Sequence, residues 1–324
     1  MEKKILVSGI KPTGILHLGN YFGAIKQFVD LQNEHNSYVF LANYHALTSV
    51  SDKNFLLKNS FDIVCAYLAC GLDPKKVVLY RQSALPEHAE LTWIFDCLVT
   101  NPWLQRAHAF KDAESKGKEV NVGTFNYPVL MAADILMYDA DVVPVGRDQV
   151  QHIEMAREIA DKFNNTYGET FKRPKELLVK EVETVPGIDG QKMSKSYGNV
   201  IPLFGTDEEI KKAVMSIVTD SKSPEEKKNA EENNIYKIYK LLATPEEVQI
   251  MRAGFEEGGL SYGEAKKMLL EKIFNYFGPM RKTYQKYQDN PKKVYAILLK
   301  GEKKMRKLAE KKMQTVRKLV GLSV

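Results

Sequence analysis

The sequence predicts an α/β protein, a parallel sheet covered by helices, followed by a smaller all-helical C-terminal domain. Three observations carry this reading. The length of 324 residues exceeds what one hydrophobic core usually supports, so two domains are expected. The first half alternates short apolar runs with stretches of helical periodicity, the pattern of a Rossmann-like parallel sheet. Beyond residue 206 the apolar content falls and the periodicity is helical throughout.

Taken in order, Ile5-Leu6-Val7 reads as a buried first strand that stops at Ser8-Gly9. Tyr21, Phe22, Ile25, Phe28 and Val29 recur at helical spacing, and Tyr38-Val39-Phe40-Leu41 reads as a second strand. A helix around Phe55–Ala69 and a strand at Val77-Val78-Leu79-Tyr80 continue the alternation. Residues 84–140 carry helix signals punctuated by Pro86, Pro102 and Pro128, and Asp141–Gly146 resumes the strand pattern. A helix from about Gln149 to Phe163 follows, with Asp148 placed to cap it and Gln151 to complete a capping box. The polar stretch Ser221–Asn234 reads as an exposed loop within helices spanning about 206–285, and 291–320 reads as one long helix. The expected domains are 1–185, a loop and linker over 186–205, a helical unit over 206–290, and the terminal helix over 291–324.

Composition narrows the class. With 44% hydrophobic and 27% charged residues the chain reads as an ordinary globular protein. The start, MEKKILVSGI, has too short an apolar run for a signal peptide, and no stretch approaches a membrane span, so a cytoplasmic location is expected. Cys65, Cys70 and Cys97 form neither an even disulfide set nor a C-x-x-C pair, and buried thiols in a reducing compartment are the plain account. No metal site is expected from the residues. The net charge of +6 is uneven: nine Lys or Arg lie between Lys300 and Val320 against Glu302 and Glu310. Such a face could meet phosphates, but a solvated surface is the favoured reading.

Two segments carry chemistry. The first, Ser8-Gly9-Ile10-Lys11-Pro12-Thr13-Gly14-Ile15-Leu16-His17-Leu18-Gly19-Asn20, runs from a strand end through a glycine-containing loop to a helix start. Unpaired N–H groups at such a helix start attract phosphate, and glycine admits a ligand close to the backbone. Thr13 and Asn20 add neutral hydrogen-bonding groups, Lys11 adds a charge, and a protonated His17 would add another. The second, Pro186-Gly187-Ile188-Asp189-Gly190-Gln191-Lys192-Met193-Ser194-Lys195-Ser196-Tyr197-Gly198, sets two lysines and two serines among three glycines. Lysine is a compact charge on a long stem, suited to a moving triphosphate. Each segment alone also fits a blander role: a strand–helix turn with an incidental histidine, or a basic surface loop.

Together the two elements resemble the HIGH and KMSKS signatures of class I aminoacyl-tRNA synthetases. Tyr127-Pro128-Val129-Leu130-Met131-Ala132-Ala133-Asp134-Ile135-Leu136 and Val143-Pro144-Val145-Gly146-Arg147-Asp148-Gln149-Val150-Gln151-His152 narrow the resemblance to the tryptophanyl branch. It extends from Ile5 to about Asn199 and continues less specifically beyond. Two positions depart from the pattern: Asn20 stands for the last histidine of HIGH, as is common in that branch, and Arg147 stands where Glu is more usual.

The resemblance implies activation of L-tryptophan by ATP, with Mg²⁺, and transfer to tRNA(Trp) by a homodimer. It assigns His17, Asn20, Lys192 and Lys195 to catalysis. ATP contacts would come from Lys11, Pro12, Thr13, Gly19, Asn20, Gly146, Arg147, Asp148, Val185, Lys192, Met193, Ser194, Lys195 and Ser196. Asp134, Met131, His45, Gln149 and Tyr127 would hold tryptophan. The residues agree in kind: Met131 and Asp134 share a helix face, and an ionised carboxylate accepts where an indole N–H donates. Read without the resemblance, Met131 is core filler and Asp134 is paired elsewhere. A tyrosyl-tRNA synthetase, a nucleotidyltransferase and a non-catalytic tRNA-binding relative remain the rival readings.

Overall fold

The computed structural model describes residues 3–12, 14, 16–107, 121–178 and 185–323, with Asp148 and Ser196 described by their backbone alone. Five parallel strands, β1 (Ile5–Ile10), β2 (Asn36–Leu41), β3 (Val77–Arg81), β4 (Val142–Val145) and β5 (Lys175–Leu178), pair in the order β3-β2-β1-β4-β5. Within β2 and β3, neighbouring side chains enter opposite cores, because successive side chains of a strand point to opposite faces. Val39, Leu41 and Leu79 pack on one side, Phe40 and Tyr80 on the other.

The first part contributes α1 (Leu18–Asn20), a π-helical turn (Tyr21–Ile25), α2 (Lys26–Leu31), α3 (Asn43–Ala46) and α4 (Lys53–Ala69). Next come α5 (Glu87–Asp96), α6 (Asn101–Leu104), α7 (Val122–Leu136) and α8 (Val150–Tyr167). The C-terminal part holds α9 (Asp207–Met215), α10 (Asn234–Lys240), α11 (Pro245–Glu256), α12 (Tyr262–Gln288) and α13 (Pro291–Leu319). Ile210, Phe255, Leu269 and Phe277 of this part join the cluster that also holds Leu18, Val39 and Leu79, so one core runs from the sheet into the helices.

Two local expectations change, and the capping of α8 falls partly outside the described residues. Helix α8 begins at Val150 after a 3₁₀ turn (Arg147–Gln149), Gln151 Nε2 donates to the Arg106 carbonyl at 3.0 Å, and the expected Asp148 cap rests on a side chain outside the described residues. The 221–234 stretch is not simply an exposed loop. Lys228, buried to 3% exposure, donates its ammonium to the carbonyls of Ser223, Pro224 and Glu226 and pins the segment from inside. The short half-exposed β5 was not expected, since Lys175-Glu176-Leu177-Leu178 has neither an apolar run nor alternation.

The basic helix α13 lies back on the sheet. Val294, Leu298, Met305, Ala309, Met313 and Val316 form its buried stripe, while Lys303, Lys304, Lys307 and Lys311 face solvent. Arg81 grips Glu302 with two hydrogen bonds, and Arg317 grips Glu90 likewise. Gly301 is the contact point: a Cβ there would stand 1.9 Å from the Leu79 carbonyl oxygen. Alanine in a helix interior gains about 1 kcal/mol over glycine, but overpacking costs about 1–3 kcal/mol. Because the obstacle is backbone, which cannot rotate aside, overpacking wins. Gly301→Ala should therefore lower the urea midpoint of unfolding, whereas an equal or higher midpoint would mean that α13 is not seated on β3.

Candidate functional site

The two signature segments meet. Leu18 N–H donates to the Ile201 carbonyl at 3.1 Å, Leu203 N–H donates to the Leu16 carbonyl at 2.9 Å, and His17 pairs antiparallel with Pro202. Met193 is buried between them: its sulfur accepts from Gly19 N–H at 3.4 Å, and its own N–H donates to the Val185 carbonyl at 2.9 Å. Asn20 Oδ1 accepts from His17 N–H at 3.1 Å, closing the start of α1. Lys195 crosses the opening loop at Gly14, where a Cβ would stand 1.9 Å from Nζ, and its ammonium lies 5.0 Å from the Phe55 ring centre.

Burial decides the charge on His17, which the sequence left open. It is buried, its Nδ1 has no partner among the described residues, and desolvation brings its pKa down to about 4. At neutral pH it is therefore uncharged, and the positive charge on this side comes from lysines.

A cleft of about 590 Å³ opens at the carboxyl ends of β1 and β4, where the strand order reverses. Lys11, Asn20, His45, Tyr127, Met131, Asp134, Gly146 and Gln149 all line it. Lys11 Nζ donates to Thr48 Oγ1 at 3.0 Å, and burial lowers its pKa. Pro12 is buried beside Lys11, and Arg147 is exposed on the 3₁₀ turn after β4. Val185 sits in the core, with its carbonyl taken by Met193. Lys192 is exposed and faces α10 across a separate concavity. Thr13 and the side chains of Asp148 and Ser196 lie outside the described residues.

The floor of the cleft is a buried carboxylate. Gln82 Nε2 donates to Asp134 Oδ1 at 2.8 Å and to Oδ2 at 2.9 Å. His45 Nε2 lies 2.9 Å from Oδ2, and His88 Nδ1 stands 2.6 Å from Oδ1. Burial pushes the carboxyl pKa up, yet His45 and His88 outweigh it and hold the group below the usual range. Asp134 is thus ionised, which leaves both of its oxygens acceptors only. Tyr127 OH meets His152 Nε2 at 2.7 Å on the adjoining wall.

Sequence reasoning missed Gln82, His88 and Asn199. Gln82 directly follows β3, and polar residues at the carboxyl end of a parallel strand are where this fold places sites, which was the available signal. Asn199, buried, accepts from Ser194 N–H at 2.8 Å and donates to Asp189 Oδ1 at 2.7 Å and to the Lys192 carbonyl at 3.2 Å, shaping the 189–199 loop from within. An asparagine after a glycine in a turn-rich loop was its only signal.

Comparison with known proteins agrees with this geometry. Residues 1–278 match the family model of class I tRNA synthetases (W and Y). The tryptophan–tRNA ligase of Fusobacterium nucleatum is 49% identical over 317 residues, covering 98% of this chain and 97% of that protein. The crystal structure of tryptophanyl-tRNA synthetase from Campylobacter jejuni complexed with ADP and tryptophane matches with a TM-score of 0.94 at 44% identity, covering 98% of this chain and 100% of that one. The Mycoplasma pneumoniae tryptophanyl-tRNA synthetase matches with a TM-score of 0.82 at 29% identity, covering 100% of this chain and 99% of that one. A Rossmann-like sheet with joined HIGH-like and KMSKS elements defines an amino-acid-activating enzyme. The chain belongs to the class I tRNA synthetases of the tryptophan and tyrosine family.

The buried His17 has a consequence for stability. Its folded pKa is depressed below the unfolded value of 6.5, so the unfolded chain takes up a proton that the folded one refuses. The stability this contributes is present above 6.5 and lost as pH falls towards 4. The stability difference between the wild type and His17→Asn should shrink between pH 7 and pH 5 in urea unfolding. A difference that stays constant would mean that His17 is not held neutral.

Proposed function

We propose that this chain is a tryptophan–tRNA ligase: it activates L-tryptophan with ATP to tryptophanyl-adenylate and pyrophosphate, then transfers tryptophan to the 3′ end of tRNA(Trp). The observation that carries this reading is a single cleft with an ionised, fully buried carboxylate at its floor and the joined 17–20 and 192–196 segments beside it. The names and close identity of the relatives support it.

In the first step the tryptophan carboxylate attacks the α-phosphorus, an oxygen–phosphorus bond forms, and the bond to the bridging oxygen of pyrophosphate breaks. The substrate supplies the nucleophile, so the protein contributes position and charge stabilisation. Asp134 receives the indole N–H. Since Gln82, His45 and His88 already engage both of its oxygens, His45 must share Oδ2 with the indole. Met131 packs the ring, Tyr127 closes the wall, and Gln149 takes the amino group. Neutral His17, with Asn20 and Lys11, addresses the phosphates, while Pro12, Thr13 and Gly19 shape the loop around them. Gly146, Arg147, Asp148, Val185 and Met193 border adenine and ribose. Lys192, Ser194, Lys195 and Ser196 close over the leaving pyrophosphate. Mg²⁺ enters with the triphosphate, whose oxygens are its usual ligands. Among the described residues no cluster of three His, Cys, Asp or Glu is placed to hold it independently.

A homodimer is the assembly implied by the family resemblance, and light scattering measures it. Among the described residues no helix is long and apolar enough to cross a membrane.

Tryptophan-dependent ATP–pyrophosphate exchange tests the activity, and exchange with tyrosine instead would overturn the tryptophan assignment. Because Lys195 acts mainly as charge separates, Lys195→Ala should lower kcat for exchange by roughly 10²–10³-fold, with tryptophan binding by calorimetry nearly unchanged. An unaltered kcat removes the role given to it. Asp134→Ala leaves the indole N–H without an acceptor, so the kcat/KM advantage of tryptophan over phenylalanine should largely vanish. Retained discrimination would place the indole elsewhere.

A further inference from the structure

Gln82 stands behind the cleft floor, fully buried on the 3₁₀ turn (Gln82–Ala84) that follows β3. Asp134 and His45 line the cleft, and Gln82 acts on it only through them. Its amide is held at both ends by groups of opposite kind. The Tyr44 N–H donates to Gln82 Oε1 at 3.0 Å, while Gln82 Nε2 donates to Asp134 Oδ1 at 2.8 Å and to Oδ2 at 2.9 Å. A backbone N–H can only donate and an ionised carboxylate can only accept, so the orientation of the amide is fixed. The neighbouring residues repeat the link: Asn43 Nδ2 donates to Ser83 Oγ at 2.6 Å, and Ser83 N–H donates to Asn43 Oδ1 at 3.0 Å. Three hydrogen bonds thus tie the start of α3, directly before His45, to the turn after β3.

We infer that Gln82 is a positioning residue for amino-acid selectivity, setting Asp134 and His45 as one unit that accepts an indole N–H from a single direction. The inference rests on the tryptophan-ligase reading and names what tunes its acceptor. An ionised carboxylate has about four lone-pair positions. Gln82 meets both oxygens, His88 stands at Oδ1 and His45 at Oδ2, so the ligand is left one position beside His45. A side chain with an N–H at that point is retained. A phenyl ring has no donor to offer there and leaves the buried acceptor unpaired. The same amide serves both halves of the arrangement, since it donates to Asp134 and accepts from the helix that carries His45. Methionine of similar length can do neither, and an ionised glutamate cannot donate.

The test compares Gln82→Met and Gln82→Glu with the wild type in ATP–pyrophosphate exchange. Gln82→Met should raise the KM for tryptophan roughly 10–100-fold, the worth of a hydrogen bond to a charged group, with the KM for ATP nearly unchanged. The kcat/KM advantage of tryptophan over phenylalanine should fall by a similar factor. Gln82→Glu keeps the shape and should respond to pH. Two carboxyl groups in one site cannot both ionise, so the introduced group holds a proton above the usual range and donates to Asp134 as the amide did. The groups facing Asp134 are His45 of α3, His88 of α5, Tyr80 of β3 and Tyr138 beyond α7, the two phenols pushed up by burial, and all are common to variant and wild type. The ratio of their kcat/KM values for tryptophan should therefore be highest near about pH 6 and fall as the donor is lost towards about pH 9. An unchanged tryptophan KM in Gln82→Met, an equal rise in the KM for ATP, or a ratio flat with pH in Gln82→Glu overturns the inference. Absence of tryptophan-dependent exchange in the wild type would instead overturn the reading beneath it.

Discussion

The site depends on a short piece of backbone pairing between segments far apart in sequence. Leu16, His17 and Leu18 are bound to Ile201, Pro202 and Leu203 by two N–H···O=C bonds, and Met193 inserts its sulfur against the Gly19 amide. Each backbone bond contributes only about 1 kcal/mol net. Their effect here is geometric more than energetic. They fix the end of the first loop against the end of the second, with Met193 as a further anchor between the lysines on either side of it. Asn199 completes the arrangement by holding Ser194 and Lys192 through their backbone. A 3₁₀ turn over Lys195–Tyr197, closed by Tyr197 N–H on the Ser194 carbonyl and Gly198 N–H on the Lys195 carbonyl, continues the order beyond it.

The cleft floor answers a different constraint. A carboxylate with no exposure would ordinarily become neutral, because burial favours the uncharged form. Asp134 remains ionised because donors surround it: Gln82 from the end of β3, His45 from α3, and His88 from α5. Three separate elements thus converge on one side chain of α7. His88 is in turn fixed by Tyr138, whose OH lies 2.8 Å from Nε2. A charge held by so many partners has little room to move, which suits a group that must tell a donor from a non-donor.

These features were unequally legible in the sequence. Strands β1 to β4 announced themselves because parallel strands buried on both faces read as short apolar runs. Edge strand β5, with only one neighbour and a half-exposed surface, left no such trace. His45, Met131 and Asp134 could be named as a group, but only through family resemblance, since periodicity alone makes Met131 a core residue. Gln82 carried only its position after β3 as a signal, and His88 escaped because no local pattern tells a residue that touches a distant carboxylate from one that faces water. The charge state of His17 stayed open in the sequence for the same reason, since its desolvation is set in part by segments nearly two hundred positions away. Helix α13 was ambiguous by charge, yet its apolar stripe and Gly301 recorded the packing surface once β3 was known to lie beneath it.

The continuous core bears on how the two halves can move. Directly after His17 and Asn20, the π-helical turn carries Tyr21 and Phe22 into α12, where Tyr21 OH meets Tyr276 OH at 3.1 Å and its ring stands edge-on to Phe277 at 5.0 Å. A rotation of α12 away from the sheet must break that hydrogen bond and repack the rings. Aromatic contacts of this kind hold about 0.5–1.5 kcal/mol each beyond their burial, so the whole junction resists by a few kcal/mol. That is small enough for a triphosphate gripped by several charges to overcome, and too large for the helices to drift freely. The helical part thus packs on the sheet through a shared core. Any displacement of α12 is felt at the turn that positions His17, which places the helical half in mechanical contact with the phosphate end of the cleft.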